Sequence, residues 1–223
     1  MQYLYEENAG ASEIRLAGDR HRYLFKVKRH RTGESIGLRN LKTPLLYSYR
    51  IEHIDKKEAL LRLDGARELR IEAKRNLHIG WCQIDPRVIE RFLPSINETG
   101  VKKLTFIACE RSQKNFKLDF RRLEKILLNS SQQCGRSVMM RLDIAEDLAH
   151  FSRENPESWM LDFSKNRLEE HKDDIETILV GAEGGFSEEE RNLIKQEKIV
   201  GLDTPLILRS ESAACSIAGK ILL

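Results

Sequence analysis

The chain has 223 residues, of which 40% are hydrophobic and 33% are charged, and its formal net charge is +3. A chain of this length forms one or two domains, and this composition excludes a disordered and a collagen-like protein. No apolar run approaches the roughly 18 residues that a membrane span requires, and the first residues do not resemble a signal peptide. We therefore expect a cytoplasmic protein with no membrane partner.

Residues 1–72 have the pattern of short β-strands. Segments 35–38, 45–54 and 59–63 are rich in β-branched, aromatic and aliphatic residues and are separated by glycine and proline. This part of the chain predicts a small β-barrel as a first domain.

The pattern changes from residue 73 onward, where strands alternate with helices. The predicted strands are 77–82, 104–109, 159–163 and 175–180, and a helix is predicted over 120–134. This order predicts an α/β domain over residues 73–223, with a mostly parallel sheet covered on both faces and a ligand site at the carboxyl ends of its strands.

One helix of this domain has clear boundary signals. Asp85 is a good N-cap and Pro86 suits the first helical position, while Gly100 marks the end. Pro94 falls inside this helix, so we expect a kink or a break near residues 89–90.

The four cysteines show neither a C-x-x-C spacing nor a nearby histidine pair: they are Cys82, Cys109, Cys134 and Cys215. A disulfide framework and a metal site are therefore not expected. Trp81 and Trp159 are interpreted as core residues.

Charge is strongly segregated along the chain. Residues 15–31 hold seven Lys or Arg against one acid, and residues 102–141 hold ten against three, whereas residues 143–190 hold fifteen acids against four bases. Either basic stretch alone could be an ordinary solvated surface. Together, with Tyr23, Phe25 and Phe116 interleaved, they favour RNA or DNA binding. His21 and His30 are expected to be surface residues.

Residues 178–190 (ILVGAEGGFSEEE) predict a strand, a glycine-rich loop and a helix start. Ser187 and Glu190 have the spacing of a capping box. The glycines allow a ligand to approach the backbone, and the acidic helix start argues against a phosphate and for a neutral or cationic ligand. A tight turn without a ligand is the alternative.

Residues 202–214 form a second segment of interest. A short apolar strand, 206–208, is predicted to deliver Arg209 to the start of a helix, with Ser210 and Glu211 available as cap residues. The arginine could pair with a carboxylate, or it could face the site that the glycine loop forms.

These two segments resemble a known family. Residues 180–187 (VGAEGGFS) and 206–213 (LILRSESA) resemble the paired motifs GPEGGFS and ILRTETA of the small-subunit ribosomal RNA uridine N3-methyltransferases, the RsmE family. Further segments resemble family motifs in the same order along the chain: 21–29, 98–101, 110–112 and 133–136.

The resemblance implies a PUA-like β-barrel followed by a SPOUT methyltransferase domain whose C-terminal part forms a trefoil knot. Periodicity could not predict the knot, because true knots are rare. The resemblance also implies a homodimer that binds S-adenosylmethionine and methylates N3 of a specific uridine in the decoding region of 16S ribosomal RNA. The partner would be that RNA or the assembled 30S subunit.

Several positions depart from the family pattern. Ala182 replaces a proline, Ser95 replaces a lysine, and Asn129 replaces a glutamate, and Pro94 is an addition. We expect these changes to affect RNA affinity or target choice more than methyl transfer.

Site roles follow from the resemblance and from side-chain chemistry. Arg209 is predicted to stabilise the anion that forms on the uracil ring, because a guanidinium group donates as a planar fork beside its positive charge. The base stays unassigned, since a helix-cap role suits Glu211 better. Cofactor contacts are expected from Leu179, Gly181, Glu183, Gly184, Gly185, Leu202, Leu206, Leu208 and Ser210. Phosphate contacts are expected from Arg22, Lys28, Arg29, Arg111 and Arg136.

Two alternatives remain open at this point. One is a noncatalytic RNA-binding ribosome-assembly factor that keeps the fold, and the other is a SPOUT methyltransferase that acts on another RNA. The intact Arg209 and the three loop glycines favour the enzyme that methylates ribosomal RNA.

Overall fold

The computed structural model of the protein describes residues 2–112 and 117–223, which divide into two compact units. The first unit comprises Met1–Glu72 and Ser131–Met139, and the second comprises Ala73–Ser130 and Met140–Leu223. The segment 131–139 is thus grouped with the first unit by its contacts. Phe116, one of the aromatic residues predicted to interleave with the basic stretches, lies outside the described residues.

The first unit contains a mostly antiparallel five-stranded sheet. Its strands lie in the order β1-β3-β4-β5-β2, and only β1 and β3 pair in parallel. Their bounds are Leu4–Tyr5 (β1), Glu13–Ala17 (β2), Ser35–Arg39 (β3), Leu45–Ile54 (β4) and Glu58–Glu68 (β5). One face of this sheet is buried, because the residues that share a face, such as Ile14 and Leu16, alternate with exposed neighbours. Its core includes Leu38, Tyr49 and Ile51.

The basic segment after β2 is helical, and the strand pattern expected there was wrong. A short helix, α1 (Gly18–His21), continues into a π-helical turn over Arg22–Val27. His21 and Leu24 are both buried, and their spacing of three residues places them on one helical face. His21 is therefore a core residue and not the expected surface residue, and its Nε2 lies 3.0 Å from the carbonyl oxygen of Asp55.

The second unit contains a six-stranded sheet in which all neighbours are parallel, as the alternation of strands and helices predicted. The strand order is β11-β9-β10-β6-β7-β8. The strands are β6 (His78–Cys82), β7 (Lys103–Ile107), β8 (Arg141–Ala145), β9 (Trp159–Leu161), β10 (Thr177–Val180) and β11 (Ile199–Val200). The helices are α2 (Pro86–Thr99), α3 (Phe120–Cys134), α4 (Leu148–Glu154), α5 (Leu168–His171), α6 (Glu188–Arg191) and α7 (Ser210–Leu222). The last residues of α3, 131–134, are grouped with the first unit. Trp81 and Trp159 are buried, as predicted.

Helix α2 starts and ends as its sequence predicts. The Asp85 side chain accepts the N–H of Arg87, and Gly100 ends the helix with φ 104°. The break expected from Pro94 is absent, and the helix runs unbroken from Pro86 to Thr99. Its inner face buries three aliphatic side chains, and because each contributes about 1.5–3 kcal/mol, their burial outweighs the roughly 3 kcal/mol cost of an internal proline. These side chains are Ile89, Leu93 and Ile96.

Cys82 and Cys109 form a disulfide, which the sequence analysis did not expect. Cys82 is the last residue of β6, and Cys109 follows the neighbouring strand β7 by two residues. Parallel pairing places Cys82 opposite Ile107, so the two cysteines meet at the carboxyl edge of the sheet with their Cα atoms 5.5 Å apart. Cys134 and Cys215 are free thiols.

Within residues 2–112 and 117–223, no helix is both long enough and apolar enough to cross a bilayer. The same residues include no group of three or more His, Cys, Asp or Glu side chains that could hold a metal ion.

His78, at the start of β6, should make stability depend on pH. Burial, aided by the charge of Lys103, lowers the pKa of His78 from 6.5 to about 4, and its Nε2 lies 2.8 Å from Thr105 Oγ1. Between pH 6.5 and 4 the unfolded chain therefore binds a proton that the folded protein does not. The contribution of this group is complete above pH 6.5 and is lost as the pH falls toward 4, by about 2–3 kcal/mol at pH 4.5.

Urea unfolding at pH 7 and pH 4.5 tests this expectation. The His78→Gln protein, which keeps a polar group near Thr105, should lose less stability on acidification than the wild-type protein. An equal loss in both proteins would contradict the role of His78.

Candidate functional site

A cavity of about 570 Å³ opens at the carboxyl edge of the parallel sheet. Its walls come from the loops after β9, β10 and β11, from the first turn of α7 and from Arg111, which follows β7. The sheet order reverses beside β10 and β6, and ligands of open α/β sheets bind at such a point. The volume lies within the range of about 300–1,000 Å³ that small-molecule sites occupy.

The loop after β10 (residues 181–187, hereafter the glycine loop) is folded tightly on itself. The Gly185 N–H donates to the Ala182 carbonyl oxygen at 2.9 Å, and Gly185 has a φ of 68°, which favours glycine. A Cβ on Gly181 would lie 3.2 Å from the Gly185 backbone. The loop then enters α6 through the predicted capping box, in which Ser187 and Glu190 each accept the other's backbone N–H. The glycines therefore allow a compact loop that exposes backbone to the cavity.

Ser210 joins the start of α7 to the glycine loop. Its hydroxyl accepts the indole N–H of Trp81 at 2.8 Å and donates to the Gly181 carbonyl oxygen at 2.5 Å. The hydrogen bond between Ser210 and Gly181 lies at the cavity wall, because both residues line the cavity. Ser210, predicted as a cofactor contact, therefore also holds the glycine loop in place.

Replacement of Ser210 by alanine should lower the free energy of unfolding by about 1–3 kcal/mol, because the buried indole N–H of Trp81 would lose its acceptor. The Ser210→Thr protein keeps a hydroxyl and should retain most of that stability. Urea unfolding of the three proteins measures the effect, and a Ser210→Ala protein as stable as the wild type would contradict the bridge described above.

The segment 206–208 is not the strand that its sequence predicted. Residues 202–209 form an irregular loop, and Leu206 and Ile207 are 71% and 81% exposed. Strand β11 has already ended at Val200, and Pro205 has no N–H to donate to a sheet. The loop nevertheless contributes to the cavity wall. Because it is not part of the sheet, its backbone can face a ligand in the cavity.

Most of the predicted cofactor contacts do come together. The predicted contacts that line the cavity are Gly181, Glu183, Gly184, Gly185, Leu202, Leu206, Leu208 and Ser210. Leu179 is buried within β10 and is not among the lining residues. Arg209 is exposed and precedes α7 as its N-cap residue, between two residues that line the cavity. Glu211, in the first turn of α7, is buried.

The part of the wall that follows β9 was not predicted from the sequence. Asp162 lies there with its carboxylate paired to Arg191 at 2.5 Å, followed by Phe163, which is 80% exposed. Gly201, at the end of β11, is a further lining residue. The signal was available, since the sequence predicted a strand that ends near residue 163 and side chains after such a strand reach the ligand edge of the sheet.

The cavity wall carries charges of both signs. Its carboxylates are Asp162 and Glu183, and its guanidinium groups belong to Arg111, Arg167 and Arg191. Among the described residues, no histidine or lysine lines the cavity. The site thus suits a ligand with both cationic and anionic groups.

Four of the five predicted phosphate-binding residues lie in the first unit. Arg22 is exposed and pairs with Asp19 at 3.1 Å, and Lys28 lies 5.8 Å from the ring centroid of Tyr23. Arg29 is exposed and has a φ of 62°. Arg136 differs from these, because it is only 7% exposed, its Nε donates to the Val138 carbonyl oxygen, and burial lowers its pKa. The fifth residue, Arg111, belongs to the second unit and lines the cavity.

Comparisons with known proteins identify the family of the chain. The model of the RNA methyltransferase domain family matches residues 72–222. A relative from Helicobacter pylori, ribosomal RNA small subunit methyltransferase E, is 35% identical over 98% of both chains.

Two solved structures share the fold. A Legionella pneumophila protein in complex with S-adenosylmethionine is 25% identical with a TM-score of 0.79, covering 98% of this chain and 95% of that one. The ribosomal RNA small subunit methyltransferase E of Neisseria gonorrhoeae, bound to the same molecule, has a TM-score of 0.80 at 19% identity, with 98% and 95% coverage.

Proposed function

Because the chain belongs to the ribosomal RNA small subunit methyltransferase E family, we propose that it transfers a methyl group from S-adenosylmethionine to N3 of a specific uridine in the decoding region of 16S ribosomal RNA. The observation that carries this proposal is the cavity that the glycine loop and the start of α7 form together at the carboxyl edge of the parallel sheet. Both of the segments that resemble the family's motifs contribute to that cavity.

The residues of the cavity fit S-adenosylmethionine. When bound, this cofactor supplies an electrophilic methyl group on a positively charged sulfur. Asp162 pairs with Arg191, and Arg167 pairs with Asp203. The positively charged sulfur would therefore be met chiefly by Glu183, and the carboxylate of the methionine part by Arg111. The backbone of Leu202 and Leu208 lies in the cavity wall outside any strand, where an adenine ring could meet it.

Arg209 is our candidate for the catalytic residue. Removal of the N3 proton leaves negative charge that spreads onto the uracil oxygens, and a guanidinium group beside an oxygen stabilises that charge. Its position supports this role, since an exposed Arg209 between Leu208 and Ser210 is free to meet a nucleotide at the cavity. The base that accepts the proton is left unassigned.

Arg22, Lys28 and Arg29 are proposed to contact phosphates from the first unit, which we propose to be a PUA-like β-barrel. All three are exposed, and phosphate contacts position an RNA without reading its sequence. Arg136 is left out of this set because of its burial. These phosphate contacts are tested by measuring the binding of a fluorescent RNA at rising salt concentration. Replacement of one of these residues by alanine should reduce the slope of log K against log salt concentration by about one.

The remaining features of the proposal concern assembly. We propose that the C-terminal part of the chain forms a trefoil knot and that two copies associate as a homodimer. Three exposed apolar side chains around the cavity support a covering partner: Phe163, Leu206 and Ile207. An enzyme of ribosomal RNA would act in the cytoplasm, on the free RNA or on the assembled 30S subunit.

The choice of substrate is tested by offering labelled S-adenosylmethionine with naked 16S ribosomal RNA, with 30S subunits and with transfer RNA. Label on the small-subunit RNA in either form supports the proposal, and the comparison identifies the preferred form. Label on transfer RNA alone would instead support a SPOUT methyltransferase with another target.

A further inference from the structure

We propose that Glu190 is a positioning residue for cofactor binding, which ties residues 109–112 (hereafter the Arg111 turn) to the glycine loop and so keeps Arg111 against Gly184. The proposal rests on the proposed function only in that S-adenosylmethionine binds in the cavity. It concerns contacts between residues of the protein itself.

Glu190 is a buried carboxylate, only 8% exposed, whose two oxygens serve two different segments. Oε2 accepts the backbone N–H of Ser187 at 2.9 Å, which completes the capping box. Oε1 accepts the backbone N–H of Glu110 at 2.8 Å, across 80 residues of sequence. The cap requires only the first of these bonds, so the second is a separate attachment between the Arg111 turn and the start of α6.

The Arg111 turn is itself well defined. The Ser112 N–H donates to the Cys109 carbonyl oxygen at 3.0 Å, and the Cys109 N–H donates to Ser112 Oγ at 3.1 Å. Cys109 is joined to Cys82 through the disulfide at the edge of the sheet. One end of the turn is therefore fixed covalently, and the Glu190 carboxylate holds the next residue.

Arg111 extends from this turn to the glycine loop. Its Nη1 donates to the Gly184 carbonyl oxygen at 2.8 Å, and its Cβ and Cδ lie 3.2–3.3 Å from the position that a Cβ of Gly184 would take. Arg111 is an exposed side chain, so its bond to Gly184 must offset a loss of rotamer freedom. That loss is smaller when the backbone beneath it is already held, which is the role we assign to Glu190.

Loss of the Glu190 carboxylate should release the Arg111 turn and leave two backbone N–H groups without an acceptor. The wall at Gly184 would then have to be rebuilt on cofactor binding, so affinity should fall. The methyl-transfer step itself should change little, because Glu190 does not line the cavity.

Calorimetric titration with S-adenosylmethionine, in the absence of RNA, measures this effect. Glu190→Ala and Arg111→Ala should each raise Kd about tenfold, and the double variant should raise it by little more than either, because the two residues act through one contact. Glu190→Gln keeps one acceptor and should fall between. Glu189→Ala is the matched control, because it removes an exposed carboxylate from the same helix and leaves both bonds of Glu190 in place, so Kd should stay within about twofold.

Two further readouts separate positioning from a general loss of structure. The Glu110 amide should exchange with solvent faster in apo Glu190→Gln, while core amides of β10 keep their protection. In steady-state kinetics the same variant should raise KM for the cofactor with kcat nearly unchanged.

The proposal would be overturned by additive effects in the double variant, by unchanged Kd in Glu190→Ala, or by an Arg111→Ala protein that loses RNA affinity alone. Failure of the wild-type protein to bind the cofactor would overturn the proposed function together with it. Normal binding in the wild type with unaltered variants would overturn only the positioning role.

Discussion

The Arg209→Ala protein is expected to bind S-adenosylmethionine with a Kd within about threefold of the wild type and yet to transfer methyl groups at least ~100-fold more slowly. Removal of one hydrogen-bond donor at a developing anion costs about 10²–10³ in rate at comparable sites. Arg209 lies at the N-cap of α7 and does not form the cavity wall, so its loss should leave the cofactor site intact.

Single-turnover methylation and calorimetry measure the two quantities. Arg209→Lys keeps the charge without the planar fork and should be intermediate in rate. Arg153→Ala, an exposed arginine on α4, is the matched control and should change neither quantity. Full activity in Arg209→Ala would remove Arg209 from the mechanism.

Gly201→Ala is expected to weaken cofactor binding by more than ~10-fold and to lower the melting temperature. An added Cβ would press on the backbone carbonyl oxygen of Ser164, far inside normal contact distance. That backbone cannot move freely, because the Gly201 N–H donates to the Asn166 carbonyl oxygen at 2.8 Å and the Gly201 carbonyl accepts from Leu168 at 3.0 Å. Strain of this kind typically costs about 1–3 kcal/mol or more.

Gly219→Ala provides the control for this variant. Gly219 lies in α7 with open space around its Cβ position, so alanine should preserve binding and raise stability by up to ~1 kcal/mol. Calorimetry and thermal unfolding of the two variants test the prediction. If the two variants had equal cofactor affinities and equal melting temperatures, the loop at Ser164 would not be a rigid wall of the cavity.

Several elements of the second unit were predicted because they have a local signal in the sequence, whereas β8, β11, α4 and α5 were not predicted. The Asp85-Pro86 start of α2, its Gly100 end and the capping box at Ser187 are all decided by contacts within a few residues. The break predicted at Pro94 was wrong, because the free-energy cost of the proline is outweighed by burial of one face of the helix. That burial depends on the elements that pack against α2, which the local sequence does not show.

The disulfide could not be predicted from local sequence signals. Two predicted strands ended on Cys82 and Cys109, yet their meeting depends on which strands are neighbours, and spacing of 27 residues does not reveal that. The same holds for Gly201, which follows the short strand β11 and joins the site only through the order of strands. The helix after β2 was not predicted for another reason. Only His21 and Leu24 face the core there, and two residues are too few to show a helical period of hydrophobicity.

Mass spectrometry of nucleosides from small-subunit RNA, incubated with the protein and S-adenosylmethionine, decides whether the protein methylates N3 of one uridine. We expect one new 3-methyluridine, mapped to a single position of the decoding region and absent when Arg209→Ala replaces the wild type. Cofactor binding without any new methylated nucleoside would contradict this expectation and would favour a noncatalytic RNA-binding assembly factor, and a methyl group on another base atom would contradict the assignment of N3.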